Sequence, residues 1–431
     1  MPDTFESTLE LPLFGSGPGK TLQERRPLAE DLAAFREFGS PTRSLSASFS
    51  LPSGQIQDLP VYVNEFWTAR QRAASSLHEI SYRACFKPQL PRFFIERLTT
   101  PGDRVYDPFM GRGTTVIESA LLGRTPVGCD VNPLSIVLTH PRLHPPALED
   151  VRARLAKIDL ANAGEQPVDL LVFYHPETLR HLSALRKYLL DQGNKRLDVV
   201  DQWIQLVALN RLTGHSNGFF SVYTMPPNQA VSVKSQQKIN ERRKQTPPRR
   251  DIPAIILKKS ESLLADCGPA QRKTLGESAR GALLLTQPCD KTTEIPSNSV
   301  ALVVTSPPFL NIVDYAGDNW LRCWFLGIDP KSVRLTVPRR LDEWQLAMTR
   351  VFLELARVLK PGGHVAFEVG EVHSGKTRLE EAVIPCGHAA GLKPLLVMIN
   401  DQRFTKTANC WGVDNNSKGT NTNRIVVFQK A

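Results

Sequence analysis

The sequence predicts an α/β protein with a mainly parallel, doubly wound sheet of seven strands and a mainly helical insertion. Three observations lead to this prediction. Short apolar runs alternate with helical patterns toward both ends of the chain. A glycine-rich turn follows the first run, and a proline-rich turn follows the fourth. Between the second and third runs, helical patterns and proline-rich linkers replace the alternation. The expected fold is therefore Rossmann-like, with the insertion placed on the sheet.

Each predicted strand is short and is bounded by a turn or by a helical pattern. In chain order the strands are 105–106, 126–129, 283–286, 300–305, 364–369, 394–400 and 424–429. Helices are predicted at 114–122, 342–359 and 377–390. Because no helical pattern separates the last two strands, we expect them to pair antiparallel.

Composition divides the chain into four parts. Residues 1–56 are rich in Pro, Ser and Gly and are predicted to be a partly disordered arm, apart from a short helix around 28–38. The sheet domain then begins with residues 57–145. The insertion is assigned to 146–280, and the second part of the sheet domain to 281–431.

Bulk composition excludes several classes of protein. Hydrophobic content of 41% and charged content of 22% are ordinary for a globular protein, and no apolar run is long enough for a membrane span. The N-terminus shows no secretory pattern, which predicts a cytoplasmic protein. Seven scattered cysteines without a CxxC pair predict free thiols and no metal site. His140 and His144 flank Pro141, which argues against metal ligands on a helix.

The net charge of +10 favours a polyanionic partner, and its distribution is uneven. Between residues 231 and 259, nine basic residues are opposed only by Glu241 and Asp251, with Gln and Asn residues interleaved. A solvated basic face is the alternative interpretation. The residues predicted to contact nucleic-acid phosphates are Lys234, Lys238, Arg242, Arg243, Lys244, Arg249 and Arg250.

The turn after the first strand has features of a cofactor site. It reads DPFMGRGTT, and Gly111 and Gly113 allow the backbone to turn tightly and approach a ligand. Asp130, at the end of the next strand, is placed to accept hydrogen bonds from ribose hydroxyls, or alternatively to cap the following helix. Asp107 would repel a pyrophosphate but suits an ammonium group. A ribosylated cation such as S-adenosyl-L-methionine fits these residues better than a dinucleotide.

The turn after the fourth strand has features of a catalytic site. Pro307 and Pro308 make it rigid, and rigid turns at the carboxyl edge of an open α/β sheet border its ligand site. The Ser306 hydroxyl and the Pro307 carbonyl can accept the two N–H bonds of an exocyclic amine. Phe309 offers a face for an extruded base. The alternative interpretation is an ordinary strand-terminating turn with a core phenylalanine.

These two turns resemble the cofactor and catalytic motifs of the amino-group (N4-cytosine and N6-adenine) DNA methyltransferases, whose fold is a seven-stranded methyltransferase sheet. Residues 86–91, 358–363 and 423–428 resemble further stretches of that family, so the resemblance covers about half of the chain. It implies catalysis by Ser306, Pro307, Pro308 and Phe309. The cofactor-binding residues that we infer from the motifs and their neighbours are Phe86, Lys87, Pro88, Asp107, Pro108, Phe109, Gly111, Gly113, Thr114, Thr115, Asp130, Asn132 and Thr305.

Two departures from the family pattern matter. Arg112 stands where the family usually has a small residue, and we expect its side chain to point outward. The catalytic motif begins with Ser306 rather than Asp or Asn, which is similar to the N4-cytosine enzymes. The order of the motifs, with the cofactor motif first and the insertion between, resembles a permutation that is commoner among adenine enzymes.

The resemblance therefore implies a nucleoid-associated enzyme that methylates a flipped base of double-stranded DNA, with cytosine N4 favoured. The resemblance also allows a cognate restriction endonuclease as a partner. Alternatives are adenine N6, an amino group in RNA, a catalytically inactive nucleic-acid-binding protein, or a protein amide. Within the insertion, 198–212 is expected to be a core helix and 215–220 to line the DNA cleft. Asp314 and Tyr315 are expected to order the loop over the base.

Overall fold

The computed structural model of the protein describes residues 26–431, except 52, 69–73, 83–84, 194–196, 226–229, 309–314, 334–337, 339, 370, 373–376 and 402–421. Its centre is a nine-stranded sheet. In chain order, the strands of this sheet are β1 (Arg43–Ser50), β2 (Ile56–Asn64), β3 (Arg104–Asp107), β4 (Thr125–Asp130), β5 (Leu283–Thr286), β6 (Val300–Thr305), β7 (Leu359–Val369), β10 (Leu392–Asp401) and β11 (Thr422–Lys430). A separate two-stranded ribbon comprises β8 (Glu371–Val372) and β9 (Thr377–Arg378).

The strand order is β1-β2-β10-β11-β7-β6-β3-β4-β5. Strands β5, β4, β3, β6 and β7 run parallel to one another. Strand β11 is antiparallel to both β7 and β10, so the predicted antiparallel pairing of the last two strands is confirmed. The chain proceeds outward in one direction from β3 and in the other from β6. The order therefore reverses between β3 and β6, where open α/β sheets form their ligand crevice.

Helices cover both faces of the sheet, and alternate residues of each strand point into two separate cores. On β7, for example, Phe367 faces one core and Ala366 the other. Helices α12 (Leu341–Val358) and α13 (Leu379–Ala389) pack on the Phe367 side, close to their predicted bounds. Helices α1 (Leu28–Ala34) and α2 (Gln89–Leu98) pack on the other. The doubly wound α/β prediction is confirmed.

The insertion is helical, as expected from its pattern. Helices α3 (Thr114–Leu121) and α4 (Leu134–Leu143) precede it, and α11 (Tyr315–Leu326) follows β6. The helices within it are α5 (Leu148–Lys157), α6 (Pro176–Gly193), α7 (Val199–Arg211), α8 (Val233–Arg243), α9 (Ile252–Leu263) and α10 (Pro269–Ala279). Trp203, Ile204 and Val207 of α7 are fully buried, which confirms the prediction of a core helix. Their hydrophobic core is continuous with α3 and α4, so the insertion shares its core with the sheet domain.

The prediction of seven strands was wrong by two, because β1 and β2 add to them. Residues 43–50 form β1 although they belong to the arm that was predicted to be partly disordered. The short helix predicted around 28–38 is confirmed as α1. Strand β1 is largely serine and almost wholly exposed, so it has no apolar alternation that a sequence pattern would detect. Its partner β2 instead pairs in parallel with β10 and extends the sheet at that edge.

Among the described residues, no helix combines the length and the hydropathy that a membrane crossing needs. The six cysteines in the described part of the chain are free thiols, and Cys410 lies outside it. His140 and His144 stack with ring centroids 5.2 Å apart, and no group of three metal-ligating side chains occurs in the described ranges.

A buried amide side chain on β10 binds the backbone of the segment that follows β2. Asn400 is fully buried; its Oδ1 accepts the Phe66 N–H at 2.7 Å and the Trp67 N–H at 3.2 Å. Its Nδ2 donates to the Trp67 carbonyl at 3.3 Å. The segment after β2 therefore depends on one side chain for its backbone hydrogen bonds.

We expect Asn400→Leu to lower the free energy of unfolding by about 2–4 kcal/mol, because buried N–H groups of Phe66 and Trp67 lose their acceptor. Denaturant titration measures this change. Lys393→Ala, at an exposed position of the same strand, serves as a control and should change stability by less than about 0.5 kcal/mol. Equal stability of the two variants would contradict the assignment.

Candidate active site

Polar side chains collect where the parallel strands end at one edge of the sheet. Asp107 ends β3, Asp130 ends β4, and Thr305 ends β6. Glu368 lies one residue before the end of β7. Parallel strands present their carboxyl ends at a common edge, and β3 and β6 are adjacent there. The sequence-predicted cofactor and catalytic turns are thereby brought together at the point where the strand order reverses.

Asp107 is the most buried acid of this edge, with 1% of its surface exposed. Its Oδ1 accepts the Thr305 hydroxyl at 2.6 Å and the Phe109 N–H at 3.1 Å. Burial raises the pKa of Asp107 to about 7, although these hydrogen bonds oppose the rise. Among the described residues, no basic side chain forms an ion pair with Asp107. Its charge is therefore uncompensated, and a bound cation would stabilise the ionised form.

Asp130 holds the glycine-rich turn. Its Oδ2 accepts the Gly111 N–H at 2.9 Å, and its Oδ1 accepts the Asn132 N–H at 2.8 Å. The alternative interpretation, Asp130 as the cap of the next helix, is wrong, because the Asn132 side chain accepts the Leu134 N–H at the start of α4. Burial raises the pKa of Asp130, and the backbone donors oppose that shift.

The two glycines of the turn have different structural roles. Gly113 has φ +75°, and a Cβ there would lie 2.3 Å from the Thr139 side chain of α4. It therefore allows α3 and α4 to pack closely, rather than opening space for a ligand. Gly111 has φ +48°, and a Cβ there would meet the Tyr82 ring at an ordinary 3.6 Å. Only the Gly111 position retains room for close approach.

Arg112 does not point outward, so that expectation was wrong. Its guanidinium donates to the backbone carbonyls of His78, Ile80 and Phe86, the best of these bonds being 2.9 Å to Ile80. Its Nε also donates to the Thr114 hydroxyl at 3.1 Å. A side chain with five donors can satisfy several carbonyls of an irregular segment at once. Arg112 therefore ties the backbone at His78, Ile80 and Phe86 to the glycine-rich turn.

The other predicted cofactor residues mostly support the turn. Pro108 is buried, Phe109 packs on the α12 side of the sheet, and Pro88 precedes α2 as its N-cap. Phe86 is partly buried against the α2 core, and Lys87 is exposed. Hydroxyls in this part of the chain are used internally: Thr115 donates to the Val304 carbonyl at 3.0 Å, and Thr305 is fully buried beneath Asp107.

The catalytic turn is fixed from α12. The Trp344 indole N–H donates to the Pro308 carbonyl at 3.0 Å, so that carbonyl is not free. No hydrogen bond joins the Pro307 carbonyl to another described residue, which leaves it available as an acceptor. Ser306 is half-buried, and Pro307 is buried. Phe309 and Asp314 lie outside the described residues, as does the side chain of Tyr315.

Glu368 is a site residue that sequence reasoning missed. Only 8% of its surface is exposed, the Ser306 hydroxyl hydrogen-bonds its carboxylate, and the Asn423 amide donates to its Oε1. Burial raises the pKa of Glu368 to about 7 against the effect of these two donors. An acid inside the apolar run of β7 was the available indication, since such residues are rarely buried without a role.

The basic stretch divides into two parts. Lys234, Lys238, Arg242, Arg243 and Lys244 are exposed on or just after α8. Arg249 and Arg250 lie in the loop before α9, where Arg249 forms an ion pair with Glu177 at 2.7 Å. The interleaved Gln236 is fully buried and donates to the Tyr223 carbonyl at 3.1 Å, so it supports the fold instead of facing a phosphate.

Residues 215–220 do not present aromatic side chains to a cleft as expected. Phe219 is 7% exposed and Phe220 is fully buried. The Phe219 ring fills the place of a Gly214 side chain, and the Arg211 guanidinium lies 4.0 Å above the ring centroid. The polar residues His215, Ser216 and Asn217 remain exposed.

Because Glu368 titrates near pH 7 when folded and near 4.5 when unfolded, its ionisation destabilises the fold as pH rises through this window. Because the pKa is raised in the folded state, the contribution of the protonated carboxyl to stability is fully present below about pH 4.5 and is lost above about pH 7. Glu368→Gln has no such ionisation. As pH rises through that range, we expect its free energy of unfolding to increase by up to roughly 3 kcal/mol relative to that of the unmodified protein. Urea unfolding at several pH values measures it, and a pH-independent difference would contradict the assignment.

Comparison with known proteins agrees with this geometry. Residues 46–137 match the family model described as DNA methylase, the N6/N4 group. The Type II methyltransferase M.BsoBI of Geobacillus stearothermophilus is 26% identical over 296 residues, which are 60% of this chain and 54% of that protein. The Type II methyltransferase M.MjaII of Methanocaldococcus jannaschii is 31% identical over 85 residues, 20% of this chain and 16% of that protein.

Among solved structures, TrmN from Thermus thermophilus aligns with 83% of this chain and 52% of that chain, at 11% identity and a TM-score of 0.31. The chain spans about half of the length of the first relative named, at 54%. The family match and these relatives show that parts of the chain are similar to amino-group DNA methyltransferases.

Proposed function

We propose that the protein transfers a methyl group from S-adenosyl-L-methionine to the exocyclic amino group of a flipped base in double-stranded DNA, most favourably cytosine N4. One observation carries the proposal: the Ser306 hydroxyl, at the mouth of a rigid turn, is hydrogen-bonded to a buried acid beside the cofactor turn. The family match and the Type II methyltransferase relatives support DNA as the substrate.

The residues at the edge of the sheet fit this cofactor. Asp107 is a buried carboxylate without a described cationic partner, which suits the ammonium group of the methionine moiety. Asp130 lies at the end of β4, where acids in doubly wound sheets accept ribose hydroxyls. Gly111 leaves room for close approach of the backbone. When bound, the cofactor supplies an electrophilic sulfonium methyl group.

The catalytic turn can activate the amine by accepting its two N–H bonds. The Ser306 proton is engaged by Glu368, so the oxygen of Ser306 is left to act as an acceptor. The Pro307 carbonyl is the second acceptor. As the amine nitrogen becomes more positive, its proton can pass to the Ser306 oxygen while the Ser306 proton moves to Glu368. A carboxylate with a pKa of about 7 is well matched to receiving a proton at neutral pH.

Cytosine N4 is favoured over adenine N6 because the motif begins with a serine rather than with an acid or amide. Adenine N6 is the second candidate, and it is favoured by the order of the two motifs along the chain. The named relatives are Type II methyltransferases, which supports a cognate restriction endonuclease as a partner in the cell. RNA methylation and a non-catalytic binding role are outcomes that the following experiment separates.

We expect DNA from cells that express the protein to contain N4-methylcytosine, measured by mass spectrometry after digestion to nucleosides. Ser306→Ala is the control and should retain cofactor binding but lose about 10²–10³-fold in turnover, as when one stabilising group is removed from a transition state. N6-methyladenine would replace the cytosine assignment, and methylated RNA nucleosides would replace DNA. Cofactor binding without any methylated product would indicate a binding protein.

If Asp107 holds the cofactor ammonium, binding should tighten as pH rises from about 6 to 7.5. The carboxyl must ionise to attract a cation, and its pKa is about 7, so affinity should rise by up to tenfold per pH unit below that value. Isothermal titration calorimetry with S-adenosyl-L-methionine measures the dependence. Asp107→Asn should bind weakly with a flat profile, while Glu368→Gln should retain the slope. An Asp107→Asn variant with the original slope would remove Asp107 from this role.

A further inference from the structure

The insertion contains a cavity of about 530 Å³ at some distance in sequence from both predicted turns. Its wall is formed by the end of α7, residues 217–218, the loop before α9 and one side of α9 along its length. Five basic side chains line it, opposed by the single carboxylate of Asp251. These are Arg211, Arg249, Arg250, Lys258 and Lys259.

Two of these cations are held close together away from water. Arg211 lies over the Phe219 ring, and burial lowers its pKa to about 10. Only 12% of the Lys259 side chain is exposed, and burial together with the positive charge of Arg211 lowers its pKa to about 8. Burying like charges costs free energy unless an anion compensates them. The nearest carboxylate, Glu79, is 63% exposed and 3.8 Å from Lys259, too exposed to compensate both.

Arg250 gives a second, independent indication. Its NH2 group donates to the Asn217 side chain at 2.9 Å, but its Nε is buried and has no acceptor among the described residues. Buried donors in folded proteins are nearly always paired. Neither Arg211, Arg250 nor Lys258 forms a salt bridge within the described ranges. The carboxylate of Asp251 is already used, since its Oδ1 accepts the Ala254 N–H at 3.0 Å and caps α9.

We propose that this cavity binds a backbone phosphate of the DNA substrate, with Lys258, Lys259 and Arg250 as the contacting groups. The inference rests on the proposed function for its partner but not on the chemistry of methyl transfer. Guanidinium and ammonium donors around one concave site match the charge and the several acceptor oxygens of a phosphodiester.

An extended polyanion fits the surroundings better than a small anionic ligand does. The exposed cations of α8 continue along the chain into the loop that reaches the cavity, and they would contact successive phosphates. Among the residues that the structure describes, no aromatic side chain lines the cavity, so a free nucleotide would find no surface there on which to stack its base. The phosphate in the cavity would then fix the register of the duplex. The exposed cations of α8 would strengthen binding by charge alone and would not position the DNA.

The test compares Lys258→Gln/Lys259→Gln with a control, Lys273→Gln/Lys393→Gln, which removes the same charge at exposed positions of α10 and β10. Fluorescence anisotropy of a labelled duplex is measured over a range of salt concentrations. We expect the log–log salt slope of the cavity variant to be shallower by about 0.9 for each phosphate that is no longer neutralised, which is roughly eightfold weaker binding per phosphate at about 0.1 M salt. The control should keep the original slope.

A second measurement does not depend on mutation. Lys259 should react readily with an amine-specific reagent near pH 8, because its pKa is lowered to about 8. Peptide mapping by mass spectrometry then reports its protection. We expect protection by duplex DNA but not by inorganic phosphate at matched ionic strength. Equal protection by inorganic phosphate would overturn DNA as the ligand, and an unprotected Lys259 would overturn the site.

Methyl transfer is measured on the same samples, so the two proposals fail separately. If the unmodified protein methylates DNA while the cavity variant keeps the original salt slope, the cavity site is wrong and the function stands. If the salt slope of the cavity variant is shallower but the unmodified protein transfers no methyl group, the phosphate site stands and the proposed activity is wrong.

Discussion

The hydrogen bond from Thr305 to Asp107 is the constraint on which the site depends. It joins the carboxyl ends of β3 and β6 beneath the crevice, where strand order reverses. Because the acceptor is a buried carboxylate, this bond links the points at which the two turns leave the sheet. A buried charge without a cationic partner costs free energy. Asp107 lies where a positively charged ligand would remove that cost.

Contacts around the glycine-rich turn make it rigid before anything binds. Thr139 occupies the space beside Gly113, and Arg112 binds the carbonyls of His78, Ile80 and Phe86. Trp344 performs a comparable task for the proline turn from the opposite face of the sheet. A ligand entering such a site loses little free energy to ordering the protein, because the loops are already positioned by packing and by hydrogen bonds.

Sequence patterns predicted the central strands, their helices and both turns, because buried apolar runs and glycine or proline turns can be recognised from a few neighbouring residues. They missed β1, whose serines form no such pattern, and Glu368, whose role arises from Ser306 and Asn423 in distant parts of the sequence. They also assigned Arg112 and Phe219 to exposed surfaces. Arg112 binds a carbonyl 32 residues earlier in the chain, and Phe219 folds back onto Gly214 and Arg211; a hydrophobic pattern indicates neither contact.

The serine-rich outer strand has a consequence for the behaviour of the protein in solution. A sheet edge with free backbone groups is a template for pairing with another chain, and β2 without β1 would present such an edge with an apolar sequence. Strand β1 covers it with hydroxyl groups that water solvates well, and Ser48 is further engaged by Asp58 at 2.5 Å. The strand that contributes least to the hydrophobic core thus replaces the apolar edge of β2 with a polar edge, which is a poorer template for pairing with another chain.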